Sequence, residues 1–123
     1  MSKMKKYFTL FFVIFINYFN WAQDTCASAP TITVGLHIVT AVNGTQIPTP
    51  LCTTNGSGAT AGEWYKYIPT QNYTTTVSSN IAANTPKIDT RFHVYSGTCS
   101  TLTCVGGDDD SGASYSSVGS FTA

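Results

Sequence analysis

Along this chain apolar and polar residues follow two different rhythms. Residues 7–19, Y-F-T-L-F-F-V-I-F-I-N-Y-F, form an almost unbroken apolar run. Beyond residue 22 the apolar positions come in short bursts between turn residues, and none keeps a helical period. Two bursts alternate with period two, the signature of a strand with one buried face. In 63–68, Trp64 and Ile68 share one face, and Glu63, Tyr65 and Tyr67 the other. In 90–96, Phe92 and Val94 share the face expected to be buried, while Arg91, His93 and Tyr95 share the face expected in solvent. Further strands are predicted at 31–34, 37–42, 73–79, 102–105 and 116–122, where branched and aromatic residues suit a pleated surface. Turn signals separate them: Asn43 and Gly44, the Asn55-Gly56-Ser57-Gly58 stretch, Pro69 to Asn72, Asn84-Thr85-Pro86, and Gly106 with Gly107. Many short strands at this spacing predict an all-β domain, an antiparallel sandwich or barrel.

The apolar run at 7–19 follows Lys3, Lys5 and Lys6 and precedes the small Ala22. That is the layout of a secretory signal peptide, and the run falls short of the roughly 20 residues of a membrane span. The expected organisation is a signal peptide at 1–22 and a single domain at 23–123, secreted or at the cell surface, touching membrane only through the cleaved leader. Gln23-Asp24-Thr25 before Cys26 lacks the residues of a lipid-attachment site. Past residue 22 the charges are Lys66, Lys87 and Arg91 against Asp24, Glu63, Asp89, Asp108, Asp109 and Asp110, a net charge of −3. No basic patch exists to meet a phosphate backbone, so nucleic acid is excluded as a partner.

All four cysteines, Cys26, Cys52, Cys99 and Cys104, follow the leader, and an even count in a small exported domain predicts two disulfides. Three pairings exist; the expected one joins Cys26 to Cys52 and Cys99 to Cys104, the latter stapling a tight hairpin. Zinc is disfavoured because no C-x-x-C or H-x-x-x-H spacing occurs. No G-x-S-x-G elbow marks a nucleophile for His37 or His93, and His93 reads as an ordinary exposed histidine. Glu63 and Asp89 begin separate strands, with nothing to set them across a cleft as a glycosidase pair. The domain is therefore expected to be non-catalytic.

Two binding chemistries remain. Asp108, Asp109 and Asp110 offer hard oxygen ligands of the kind Ca²⁺ takes six to eight of, but the EF-hand pattern is absent. If the run were extended, only Asp108 and Asp110 would converge, and Asp89 or backbone carbonyls would have to complete the shell. The bland alternative is a solvated turn that discourages edge-to-edge aggregation. Tyr65, Tyr67 and Tyr95 are the aromatics that a sugar platform would use, against the commoner role of cross-strand packing. The sequons at Asn43 and Asn55 are Asn-Gly turns; a third lies at Asn72.

Taken together, G-E-W-Y-K-Y-I-P-T, Y-T-T-T-V-S, D-T-R-F-H-V-Y-S-G-T-C, L-T-C-V-G-G-D-D-D and S-V-G-S-F-T-A resemble the bacterial pre-peptidase C-terminal (PPC) domain, over about residues 62–123. The versions in secreted and surface proteins of Flavobacterium-like bacteria are especially similar. The resemblance implies a jelly-roll-like antiparallel β-sandwich without catalysis of its own, serving attachment, secretion or stabilisation, with calcium as the only cofactor in some relatives. Carried over by position, the calcium ligands would be Asp89 with Asp108, Asp109 and Asp110; Arg91 stands where relatives carry a second carboxylate. A polysaccharide or an extracellular protein is the implied partner. A carbohydrate-binding module is one alternative, and the N-terminal accessory part of a secreted protease or other hydrolase is another. Relatives continue past S-F-T-A into a last strand, so the chain is expected to be a fragment lacking it.

Overall fold

A computed structural model describes residues 23–53 and 59–123. The expected leader at 1–22 and the expected turn at 55–58 lie outside the described residues. Apart from two short 3₁₀ turns, the regular structure is all strand: β1 (Thr31–Ile32), β2 (Lys66–Tyr67), β3 (Thr74–Ser78), β4 (Phe92–Thr98), β5 (Thr101–Asp108) and β6 (Val118–Thr122). They pair as β1 with β2, β3 with β6, and β4 with β5. The last two pairs are antiparallel, as expected; β1–β2 is parallel, a departure from the antiparallel expectation.

The β4–β5 hairpin is the longest ladder, and both of its faces are covered. Antiparallel partners point to the same side. On one side Phe92 pairs with Asp108 and Val94 with Gly106. There β6 packs closely: a Cβ added at Gly119 would stand 2.8 Å from Phe92 Cζ, and one at Gly106 would stand 3.4 Å from Phe121 Cβ. On the other side His93 pairs with Gly107 and Tyr95 with Cys104. This side is covered by the segment around Pro50 and Cys52 and by Trp64, which stacks on Tyr95 with ring centroids 5.7 Å apart. The face expected in solvent is thus a second packed face, and Arg91, His93 and Tyr95 are half-buried like Phe92 and Val94. Alternation marks which residues share a side of a strand; it does not say that one side stays wet.

Trp64 is the one large hydrophobic side chain buried below a tenth exposure among the described residues. Its indole N–H donates to Gln46 O at 2.9 Å, and its backbone N–H to Gln23 O at 2.7 Å. Gly106 and Gly107 are not a turn; β5 runs through them to Asp108. Their missing side chains permit close layers, since a Cβ at Gly107 would meet Phe92 O at 3.0 Å and Cys52 Cβ at 3.3 Å. The irregularity lies beside them, where Val94 pairs with Gly106 but Tyr95 with Cys104, leaving Val105 as a β-bulge. Residues 37–42, expected as a strand, form none. Ile38, Val39 and Val42 stay exposed, because branched residues become a strand only where a neighbour supplies ladder bonds.

The disulfides join Cys26 to Cys99 and Cys52 to Cys104, which overturns the expected pairing. The hairpin register explains it. Cys99 sits in the turn, whereas Cys104 lies three residues up β5 from Thr101. Three residues of strand span roughly 10 Å, too far for a bridge. Each cysteine instead reaches a distant segment that the fold lays beside it, with Cα–Cα separations of 5.6 and 5.4 Å.

Candidate functional site

The hairpin register also builds the site. Phe92 opposite Asp108 is its last rung, so the residues before Phe92 and those after Asp108 emerge side by side. Carboxylate oxygens of Asp89, Asp109 and Asp110 come within 4.8 Å of one another there. Asp109 is buried, at 7% exposure, while Asp89 and Asp110 are exposed. Arg91 Nε stands 3.9 Å from Asp109 Oδ1.

This set differs from the one an extended run would give. Adjacent Asp109 and Asp110 converge because β5 ends at Asp108 and the chain bends there. Asp108 is turned into its own loop. Its Oδ2 accepts from Ser111 N at 3.1 Å and from Val118 N at 2.8 Å, and its Oδ1 accepts from the Ser111 hydroxyl. Partial desolvation pushes the Asp108 carboxyl up, but hydrogen bonds from Ser111, Val118 and Asp109 outweigh it and hold the group below its ordinary range. Asp108 closes the loop, and Asp89, Asp109 and Asp110 form the cluster.

Ser117 fixes this arrangement, and nothing in the sequence singled it out. It is fully buried, and its hydroxyl donates to Asp109 O at 2.7 Å and to Thr90 O. Its backbone N–H donates to Ser79 Oγ at 2.9 Å and to Thr90 Oγ1 at 3.0 Å. One serine thus ties the loop bearing Asp109 to Thr90, between Asp89 and Arg91. A serine beside turn residues looks like turn chemistry in a sequence; only burial reveals it as a lock.

Desolvation first, then the charges of Asp109, Asp89 and Asp108, hold the Asp110 carboxyl above its ordinary range, with Arg91 offsetting part of this. The donor set is all hard oxygen, which suits Ca²⁺ or Mg²⁺ and not the softer transition metals. Three carboxylates leave most of a calcium shell to backbone carbonyls and water.

The other predicted site residues are placed elsewhere. Glu63 Oε1 accepts from the backbone N–H groups of Asn43 and Gly44, whereas Asp89 stands in the acidic cluster. His93 is half-buried, correcting the exposed reading; its Nδ1 accepts from Cys52 N–H at 3.1 Å. The three tyrosines have internal partners. Tyr95 stacks on Trp64 and donates to Pro50 O at 2.6 Å; Tyr65 donates to Gln23 Oε1 at 3.0 Å; Tyr67 packs edge-on against Tyr73. The two disulfides belong to an oxidising, non-cytoplasmic environment. Among the described residues no helix is long and apolar enough to cross a membrane. No family model, curated protein or solved structure matches this chain.

Proposed function

We propose that this chain is a non-catalytic β-sandwich module of the PPC type, part of a secreted or cell-surface bacterial protein, serving attachment or stabilisation and bound to calcium at Asp89, Asp109 and Asp110. The observation that carries the calcium reading is the convergence of these carboxylates, from just before β4 and just after β5, within 4.8 Å. Two cross-links between distant segments support the extracellular setting. Asp89 and Asp109, with Asp110 completing the cluster, would hold the ion; Arg91 balances one charge beside Asp109 and leaves the cluster negative.

The raised Asp110 carboxyl gives the sign of the effect. A carboxyl raised by folding stabilises the fold while it is protonated, and that contribution is lost as pH rises through the folded value. At neutral pH the ionised Asp110 therefore opposes folding, and a divalent cation relieves it. Extracellular calcium modules bind at about 10⁻⁴–10⁻³ M. A tenfold excess over Kd, millimolar ion against about 10⁻⁴ M, stabilises by about 1.4 kcal/mol, several degrees in Tm for a domain of this size. Thermal melts of the disulfide-bonded chain with millimolar Ca²⁺ should exceed those with chelator, and Asp89→Asn with Asp110→Asn should abolish the difference. Coincident melts in the parent chain would end the calcium reading.

A further inference from the structure

Asn43 is followed by Gly44, the pair most prone to deamidation in any chain. The Gly44 amide nitrogen, once deprotonated, attacks the Asn43 side-chain carbonyl carbon. The new C–N bond closes a succinimide, ammonia leaves, and water then opens the ring to aspartate or isoaspartate. Gly44 cannot be exchanged for a slower residue. A Cβ there would lie 2.1 Å from Gly62 O and 2.8 Å from Asp24 Cα, so only glycine fits between these two backbones.

We propose that Asn43 is a latent deamidation site held closed by Glu63. One carboxylate oxygen, Glu63 Oε1, accepts from Asn43 N–H at 2.9 Å and from Gly44 N–H at 3.0 Å. A charged acceptor makes strong hydrogen bonds, and this one acts on the very nitrogen that must lose its proton. The negative charge of Glu63 disfavours the amide anion, and the paired hydrogen bonds stop the Gly44 peptide plane from rotating towards the Asn43 side chain. The other side of the same residue is held too, since Gly62 N–H donates to Gly44 O at 3.3 Å. Asn43 itself is exposed, so water reaches it freely, and the protection lies in the backbone clamp. Conversion would be damaging: aspartate at 43 sets a second carboxylate against Glu63, and isoaspartate lengthens a backbone that has no spare room.

Peptide mapping by mass spectrometry after incubation in mildly alkaline buffer reads the amide-to-acid conversion at Asn43. The native disulfide-bonded chain should convert more slowly than the same chain reduced and denatured in that buffer. Glu63→Ala, folded by circular dichroism, should convert about tenfold faster than the native parent, the effect of losing a charged hydrogen bond. Glu63→Gln keeps a neutral acceptor and should fall between the two. Equal rates in the native and denatured parent overturn the proposal whatever the variants do. A folded Glu63→Ala or Glu63→Gln chain at the parent's rate overturns it as well.

Discussion

His93 has two ring nitrogens in two different settings. Nδ1 accepts from Cys52 N–H, so the proton of the neutral ring sits on Nε2, which is buried with no hydrogen-bond partner among the described residues. Loss of hydration first, and then the charge of Arg91, push the His93 pKa below its ordinary 6.5, while Asp109 pulls weakly the other way. The remaining ring neighbour is Tyr95, tilted at 6.3 Å. The fold therefore favours the neutral ring, and an imidazolium could no longer accept from Cys52. Below about pH 6.5 the unfolded chain takes up a proton that the folded chain refuses, so stability falls with pH until the folded value is passed. Asparagine places an acceptor oxygen near the Nδ1 position and does not titrate. Between about pH 7 and pH 5.5 the Tm of the parent should fall while that of His93→Asn stays nearly level. Parallel curves for the parent and His93→Asn would show that His93 is not the titrating group.

At the scale of elements, what joins the two antiparallel pairs is the contact of β6 with one face of the β4–β5 hairpin. Gly119 is its tightest point: its missing side chain leaves room for the Phe92 ring, and Asp108 Cβ lies 3.4 Å from where a Cβ would stand. Gly119→Ala should therefore push the β3–β6 pair away from the hairpin and cost about 1–3 kcal/mol, the usual penalty of overpacking. Gly106→Ala is the matched control, because its Cβ would meet Phe121 at 3.4 Å, a tight contact that a small shift accommodates. It should stay within about 1 kcal/mol of the parent. Urea midpoints compare the three chains, and a Gly119→Ala chain as stable as Gly106→Ala would mean that β6 does not press on Phe92.

For the whole molecule, cross-links carry weight that the core does not. Beside Trp64, the described residues leave Val34, Leu36, Ile38, Val42 and Ile68 well exposed, so apolar burial is thin. The disulfides span 73 and 52 residues and interleave, tying the N-terminal segment to the turn of the hairpin and to the middle of β5. On chain entropy, a bridge of that span stabilises by about 4 kcal/mol, and interleaved bridges contribute less than the sum. Reduction should lower Tm steeply, and Cys26→Ser with Cys99→Ser should retain part of the loss as an oxidised single-bridge chain. An unchanged melt after full reduction would remove the bridges as a source of stability. Mass mapping of the oxidised chain should show Cys26 joined to Cys99 and Cys52 to Cys104.

By itself the sequence determined what is local. The strands expected at 73–79, 90–96 and 116–122, and found at 74–78, 92–98 and 118–122, follow from branched and aromatic residues and turn chemistry, which act over a few neighbours. The presence of disulfides follows from cysteine count, and the acidic character of the loop after Gly107 from its three aspartates. Tertiary structure decided what depends on register and on layers. It chose the cysteine partners, because a bridge needs two Cα atoms within a few ångströms and the hairpin sets Cys99 and Cys104 too far apart. It turned Asp108 into its loop and brought Asp89 to Asp109 and Asp110, because the last rung of one ladder sets Phe92 opposite Asp108 and lets the residues just beyond both ends meet. It buried Ser117 and covered the face of Arg91, His93 and Tyr95, because what packs against a strand comes from elsewhere in the chain. Alternation names the two sides of a strand; only the distant segment that arrives there decides which of them meets water.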